Sequence, residues 1–220
     1  MRSKEIHMPR PSLNADIAML ASGRALFAEH GCVGLSVRAV AEHAGVNPGL
    51  FHYHFGSKDQ FLRTVLQSLY EEMFEQLSGA AHVAGAPLQR LRGVLILIGQ
   101  FLLEHGPQVG RIWSDAGNGV PVAVAFVQNN APRHLDLVTG LLEEADQAGE
   151  LAPLAPMQRM AFLMGAVAAP ILVVGRLTGL PLGGALPAGQ LVSDVLSSEA
   201  IEARVDLALM ALRIQKGTIQ

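Results

Sequence analysis

Apolar residues recur every three to four positions along almost the whole chain, and the alternation that marks a strand is nearly absent. A first helix is predicted over 13–30, with Met19, Leu20, Gly23, Leu26 and Phe27 on one face and Gly31 as its stop. Ser36 is placed to cap a second helix ending at Ala44, and Gly45 supplies a turn. Asn47 caps a third helix that carries Pro48 in its first turn, where a missing N–H costs nothing. Ser57 followed by Gln60 is a capping-box pattern that opens a fourth helix to about residue 78. The small, breaker-rich stretch 79–87 predicts a loop. Further helices are expected over 88–105, 109–115, 122–148, 156–180 and 199–216, with a surface loop over 181–198. The fold class is therefore all-α, with about nine helices.

The most constrained segment is SVRAVAEHAGVNPGLFHYHFGSK, residues 36–58. A helix-turn-helix needs a small residue where its helices cross, and Ala41 supplies it. It also needs a left-handed backbone position at the turn, which Gly45 adopts without a Cβ clash. Val40, Ala44, Val46 and Phe51 provide the shared core, joined by Phe55. Such a unit presents its second helix to the DNA major groove. Lys58, opening the fourth helix, is placed to meet a phosphate by charge, and Arg38 to reach a base edge or the backbone. Tyr53 and His54 are expected to donate to phosphate, and Leu50 to touch a thymine methyl. Ser36, Val37, Asn47, Pro48, Gly49 and His52 complete the candidate contact set. Which of Asn47, Leu50, His52 and Tyr53 reads bases stays open at this level. His43, His52 and His54 do not share a helix face suited to one ion, so no metal or cofactor is expected.

Charge sharpens this picture. Residues 1–63 hold seven Lys/Arg against five Asp/Glu, and the remainder nine against fourteen, for a net charge of -3. A mildly cationic head on an acidic body fits a phosphate-contacting module. Cys32 is the single cysteine, which excludes an internal disulfide and a thiolate metal cluster. Residues 1–12, with Pro9 and Pro11, read as a flexible arm without a signal-peptide core. The run 160–175 is short of a membrane span and interrupted by Pro170, so a buried core helix and a cytoplasmic protein are expected.

The segments LFAEHG (26–31), LSVRAVAEHAGVN (35–47) and YHFGSKDQF (53–61) resemble the DNA-binding domain of the TetR family of transcriptional regulators. Tyr53 stands one place beyond the family's commonest tyrosine. The resemblance covers about 13–65; the rest matches in helical layout, with AGEL at 148–151 before a long apolar helix. It implies a DNA-binding domain at 13–60 and a helical ligand-binding and dimerisation domain at 61–220. The implied partners are a double-stranded operator, a second copy of the chain and a small, largely apolar effector, with no membrane and no catalysis. Candidate cavity residues are Phe101, His105, Trp113, Phe126, Met160 and Met164, with Arg111 and Asn130 as polar handles. Two apolar stripes, Leu163, Val167, Ile171 and Val174, then Ile201, Val205, Leu209 and Leu212, suit an intermolecular four-helix bundle. The rival readings are a DNA-binding protein without an effector and a helical interaction module whose head no longer binds DNA. No Ser/His/Asp, Cys/His or phosphate-loop pattern supports an enzyme.

Overall fold

In the computed structural model, residues 14–178 and 187–214 are described. The expected arm at 1–12, the first helix's start at Leu13, most of the glycine- and proline-rich half of the 181–198 loop and the end of the last helix lie outside them. Nine helices run through the described residues: α1 Ala15–Gly34, α2 Val37–His43, α3 Gly49–Phe55, α4 Lys58–Ala81, α5 Pro87–Gly117, α6 Pro121–Gln147, α7 Pro156–Leu177, a short α8 Ala188–Leu191 and α9 Ser198–Leu212. The only pairing of extended backbone among these residues is an isolated bridge between Leu151 and Arg213, which ties the end of α9 to the segment after α6.

The caps act as their residue types dictate. Ser36, Ser57 and Ser197 each accept the backbone N–H three residues on, at 3.1, 3.2 and 3.1 Å. The reciprocal bond from Gln60 that would complete a capping box is not formed among the described residues. α4 extends past residue 78 to Ala81, so the loop before α5 is only 82–86.

The two helices expected over 88–115 are one element bent at His105 (φ -114°, ψ 15°), with Pro107 just beyond. Proline lacks the N–H that would continue the ladder, which localises the bend. Pro170 acts similarly in α7, where Met164–Ala168 widens into a π-helical turn ahead of it. The expected 181–198 loop also holds helical structure, α8 and a π turn at Val192–Leu196.

Three apolar clusters organise the described residues, a head core, a body core and a smaller one of Leu102, Ala168, Ile171 and Ile201. The head core gathers Phe27, Val40, Phe51, Phe61 and Leu62, and it also takes Ile112, Val122 and Ala123 from α5 and α6. The body core draws Leu77, Leu91, Val138, Leu142, Leu163, Val205 and Leu209 from α4, α5, α6, α7 and α9. α4 belongs to both, so no loop separates head from body; they share a helix and a packed seam.

At that seam Gly31 interrupts α1 (φ 63°, ψ -171°), a conformation open essentially to glycine alone. A Cβ there would lie 2.7 Å from Arg111 Cδ and 2.7 Å from Asp115 Oδ2. Gly45 in the helix-turn-helix also has positive φ (66°) but open space around it. Gly31→Ala should therefore cost about 2–3 kcal/mol, lowering Tm by about 5–10 °C, whereas Gly45→Ala should cost about 1 kcal/mol. Calorimetric melting of both variants checks the order; equal losses would show that crowding at the seam is unimportant.

Candidate functional site

α2 and α3 form the helix-turn-helix. Gly45 N–H donates to the Glu42 carbonyl (3.1 Å) and Val46 N–H to the Ala41 carbonyl (3.0 Å), closing the turn as a helix-end motif. Asn47 Oδ1 accepts from Gly49 N–H at 2.8 Å and so starts α3. Phe51 is sunk beneath α3, with ring centroids 5.4 Å from Phe55 and 4.9 Å from Phe61. The aromatic triad pins one side of a seven-residue helix and leaves the other outward.

On that outward side Tyr53 is 76% exposed, and Asn47, Pro48, Gly49 and His52 are exposed beside it in sequence. Arg38 on α2 is exposed and bonds to none of the described residues. Ser36 is exposed, with its oxygen engaged as the α2 cap.

Other candidates have duties inside the chain. Val37 and Leu50 are half-buried against the head core, so Leu50 is not the free methyl-reading side chain the sequence suggested. His54 is half-buried, with Nε2 shut in and unpartnered among the described residues. The Nδ1 of His52 lies 3.1 Å from the Gly56 carbonyl and closes its own helix. The Lys58 ammonium donates to the Val33 carbonyl at 2.7 Å, joining α4 to the end of α1, with two N–H donors left over.

The body holds a cavity of about 160 Å³ between α4, α5, α6 and α7. Phe101, Trp113, Phe126, Asn130, Met160 and Met164 line it, as the sequence suggested. Two expected members are elsewhere. His105 sits at the α5 bend against Phe101, at 4.7 Å between centroids, and faces a separate groove. Arg111 points to the head, its Nη2 donating to the Glu29 carbonyl at 2.7 Å.

The sequence reading missed Tyr70 and His134, which form the cavity's polar end with Asn130. Tyr70 Oη–H donates to the Asn130 carbonyl at 2.6 Å. Burial pushes the Tyr70 phenol up to about 12 and holds the His134 imidazole below its ordinary value, so both stay uncharged at neutral pH. Arg133 lies over the Tyr70 and Phe74 rings and forks onto Glu71 at 2.7 and 3.0 Å. The signal that could have found Tyr70 was the α4 stripe Leu62, Leu66, Leu69, Met73, which continues the head core into the body.

The two stripes expected to face a partner copy do not. Leu163, Val167, Ile171, Ile201, Val205, Leu209 and Leu212 are buried within this chain, and Val174 is half-buried. α7 and α9 are apolar on more than one side, and folding consumes these particular stripes. The apolar residues still exposed on the same helices are Met157, Phe162, Met164 and Val173 on α7 and Leu207 and Met210 on α9. By length and composition α7 could cross a membrane, with mean hydropathy 2.0 over its best window, yet 22% of that window is buried against the core. The buried core helix expected there is instead half exposed.

Residues 19–65 match the family model described as bacterial regulatory proteins, tetR family. The chain is 29% identical over 91 residues to the HTH-type transcriptional repressor KstR2 of Mycobacterium tuberculosis, covering 41% of this chain and 46% of KstR2. It is 31% identical over 67 residues to the HTH-type transcriptional regulator BetI of Brucella suis, covering 30% of this chain and 34% of BetI. The matched stretches thus span a third to a half of these curated relatives. The solved structure of KstR2, described as a ketosteroid transcriptional regulator, superposes with a TM-score of 0.67 at 20% identity, covering 91% of this chain and 95% of that one. The fold extends well beyond the stretch in which the sequences agree. Over residues 19–65 the chain is therefore similar to the tetR family of bacterial regulatory proteins, and beyond them it shares the fold of a solved regulator.

Proposed function

We propose that this protein is a cytoplasmic transcriptional repressor that binds a palindromic DNA operator as a homodimer and leaves it when a small, largely apolar molecule fills the body cavity. The observation that carries this reading is the seam. The last turns of α5 place Ile112 and Trp113 on the cavity wall, while Arg111 and Asp115 on the same turns grip the end of α1. An effector that displaces that wall acts directly on the helix against which α2 and α3 pack. α4, whose Leu66, Leu69 and Tyr70 line the cavity, gives a second route. Coupling of about 1–3 kcal/mol through such contacts weakens operator binding about 5- to 150-fold. The relative named a ketosteroid regulator supports an apolar ligand class.

A dimer follows from the DNA problem. One seven-residue recognition helix reads too few bases, and two of them must sit about 34 Å apart to enter successive major grooves. The exposed face of α7 and α9, with Val173 at 55% and Leu207 and Met210 at 61% exposure, is the apolar surface for that pairing. Leu207→Glu with Met210→Glu should sediment as a 23.3 kDa monomer and lose operator binding. A doubly substituted chain that remained dimeric would move the interface elsewhere.

Selection from a random duplex library should return a two-fold symmetric site. On that site Arg38→Ala and Tyr53→Ala should each weaken binding about 5- to 10-fold. Lys58→Glu should weaken binding to all sequences and flatten the salt dependence by about one phosphate contact. A library yielding no enriched sequence, or variants binding like the parent, would refute DNA reading by this face.

A further inference from the structure

The wall of the body cavity is chemically lopsided. Trp113 apart, only Tyr70, Asn130 and His134 bring polar side-chain atoms to it, and among the described residues no lysine, arginine, aspartate or glutamate lines it. A charged group placed here loses its hydration and meets no opposite charge, which costs far more than burying a neutral polar group. Arg133 is already committed to Glu71 and to the aromatic faces beneath it.

The three polar residues differ in what they have left to offer. Asn130 is fully engaged: Oδ1 accepts from Gln67 and Arg133, while Nδ2 donates to Gln67 and to the Phe126 carbonyl. The Tyr70 proton is given to the Asn130 carbonyl, leaving lone-pair capacity on its oxygen. The Nδ1 of His134 lies 3.3 Å from that oxygen, and because the Tyr70 proton is already given to Asn130, this contact requires Nδ1 to carry the ring proton and donate it to Tyr70 Oη. In a neutral imidazole the other nitrogen, Nε2, is then a bare acceptor, and it has no partner among the described residues. The unspent capacity at the polar end is thus for accepting a hydrogen bond.

We infer that the cavity selects an uncharged, largely apolar molecule bearing a hydroxyl group, whose proton is accepted at His134 Nε2, the ring nitrogen opposite the one that faces the Tyr70 oxygen. Its regulatory meaning rests on the effector reading above; the binding chemistry does not. An alcohol satisfies the vacant acceptor, whereas a ketone of the same shape sets one acceptor against another. A carboxylate or an ammonium adds the cost of a buried, unpaired charge.

Ring-matched probes test this: cyclododecanol, cyclododecanone, cyclododecanecarboxylate and cyclododecylammonium, titrated into the 220-residue chain at neutral pH. Calorimetry measures the affinities, and a shift in the emission of Trp113, the only tryptophan, reports occupancy of the cavity. Cyclododecanol should bind about 3- to 10-fold more tightly than the ketone, one hydrogen bond's worth, and at least about 30-fold more tightly than either charged probe. His134→Phe should erase the preference for alcohol over ketone while leaving ketone affinity within about threefold. Because the ranking is measured on the unaltered protein, it decides the matter even where H134F fails to fold. A ketone bound as well as the alcohol, a charged probe bound as well as either, or no probe bound at all would overturn the inference. Binding in the expected order without release of a selected duplex would refute repression by effector and leave this selectivity standing.

Discussion

The structure turns on the end of α1. Where Gly31 breaks the helix, its last turn is left with backbone groups that have no partner within the helix. Two other helices supply them. Lys58 of α4 donates to the Val33 carbonyl, Arg111 of α5 donates to the Glu29 carbonyl, and Asp115 of α5 accepts from Cys32 N–H at 2.7 Å. The Asp115 carboxylate is buried, and burial together with that carboxylate pushes the Cys32 thiol up to about 12, so Cys32 is an inert part of the packing. The Cys32–Asp115 bond is buried, and leaving it unmade would cost about 1–3 kcal/mol, while the Lys58 and Arg111 bonds lie at the exposed rim and contribute less. The head is therefore held to the body by a directional polar clasp set in apolar contacts from Ile112, Val122 and Ala123. Apolar packing alone tolerates sliding; three hydrogen bonds to one helix end do not.

That clasp gives α5 two tasks on successive residues. The bend at His105 and Pro107 separates its first half, packed in the body core through Leu88, Leu91 and Leu95, from its last turns. Those last turns alternate between the cavity wall and the α1 grip. Ion pairs elsewhere brace the frame on which they move: Arg24 forks onto Glu72 at 2.9 and 2.6 Å, Arg92 onto Asp206 at 2.6 and 2.9 Å, and Arg90 pairs with Glu144. Exposed pairs of this kind each add little stability, and they orient helices more than they bind them.

What the sequence disclosed follows from how local each constraint is. The head was legible because Ser36, Ala41, Gly45, Asn47 and Phe51 act within a few residues of themselves: a cap, a crossing, a turn, a second cap and a buried anchor. Helix existence was legible throughout, and Pro107 and Pro170 marked real departures from ideal geometry, though one produced a bend and the other a π turn. The cavity's polar end was not legible, because Tyr70 and His134 meet across 64 positions of chain and neither has a local signature. Arg111 and His105 looked like cavity groups because they stand beside apolar residues, but a side chain's direction on a bent helix depends on the bend. Lys58 was placed for a phosphate by its position opening α4, and only the fold brings the Val33 carbonyl at the end of α1 beside it.

The two faces of α7 and α9 show the limit most clearly. In helices that carry apolar residues on more than one side, periodicity cannot say which stripe the chain keeps for itself. Folding takes Leu163, Val167, Ile171 and Val205, and the remainder stays at the surface. The setting of that remainder argues against lipid as its cover. Leu207 and Met210 share α9 with Glu202, Arg204 and Asp206, and Arg92 joins Glu202 and Asp206 in an ion-pair cluster on one flank of that helix. An apolar patch rimmed by paired charges matches a protein surface with the same rim, whereas a bilayer would strip those charges of water. A second copy of the chain related by a two-fold axis presents that rim by construction.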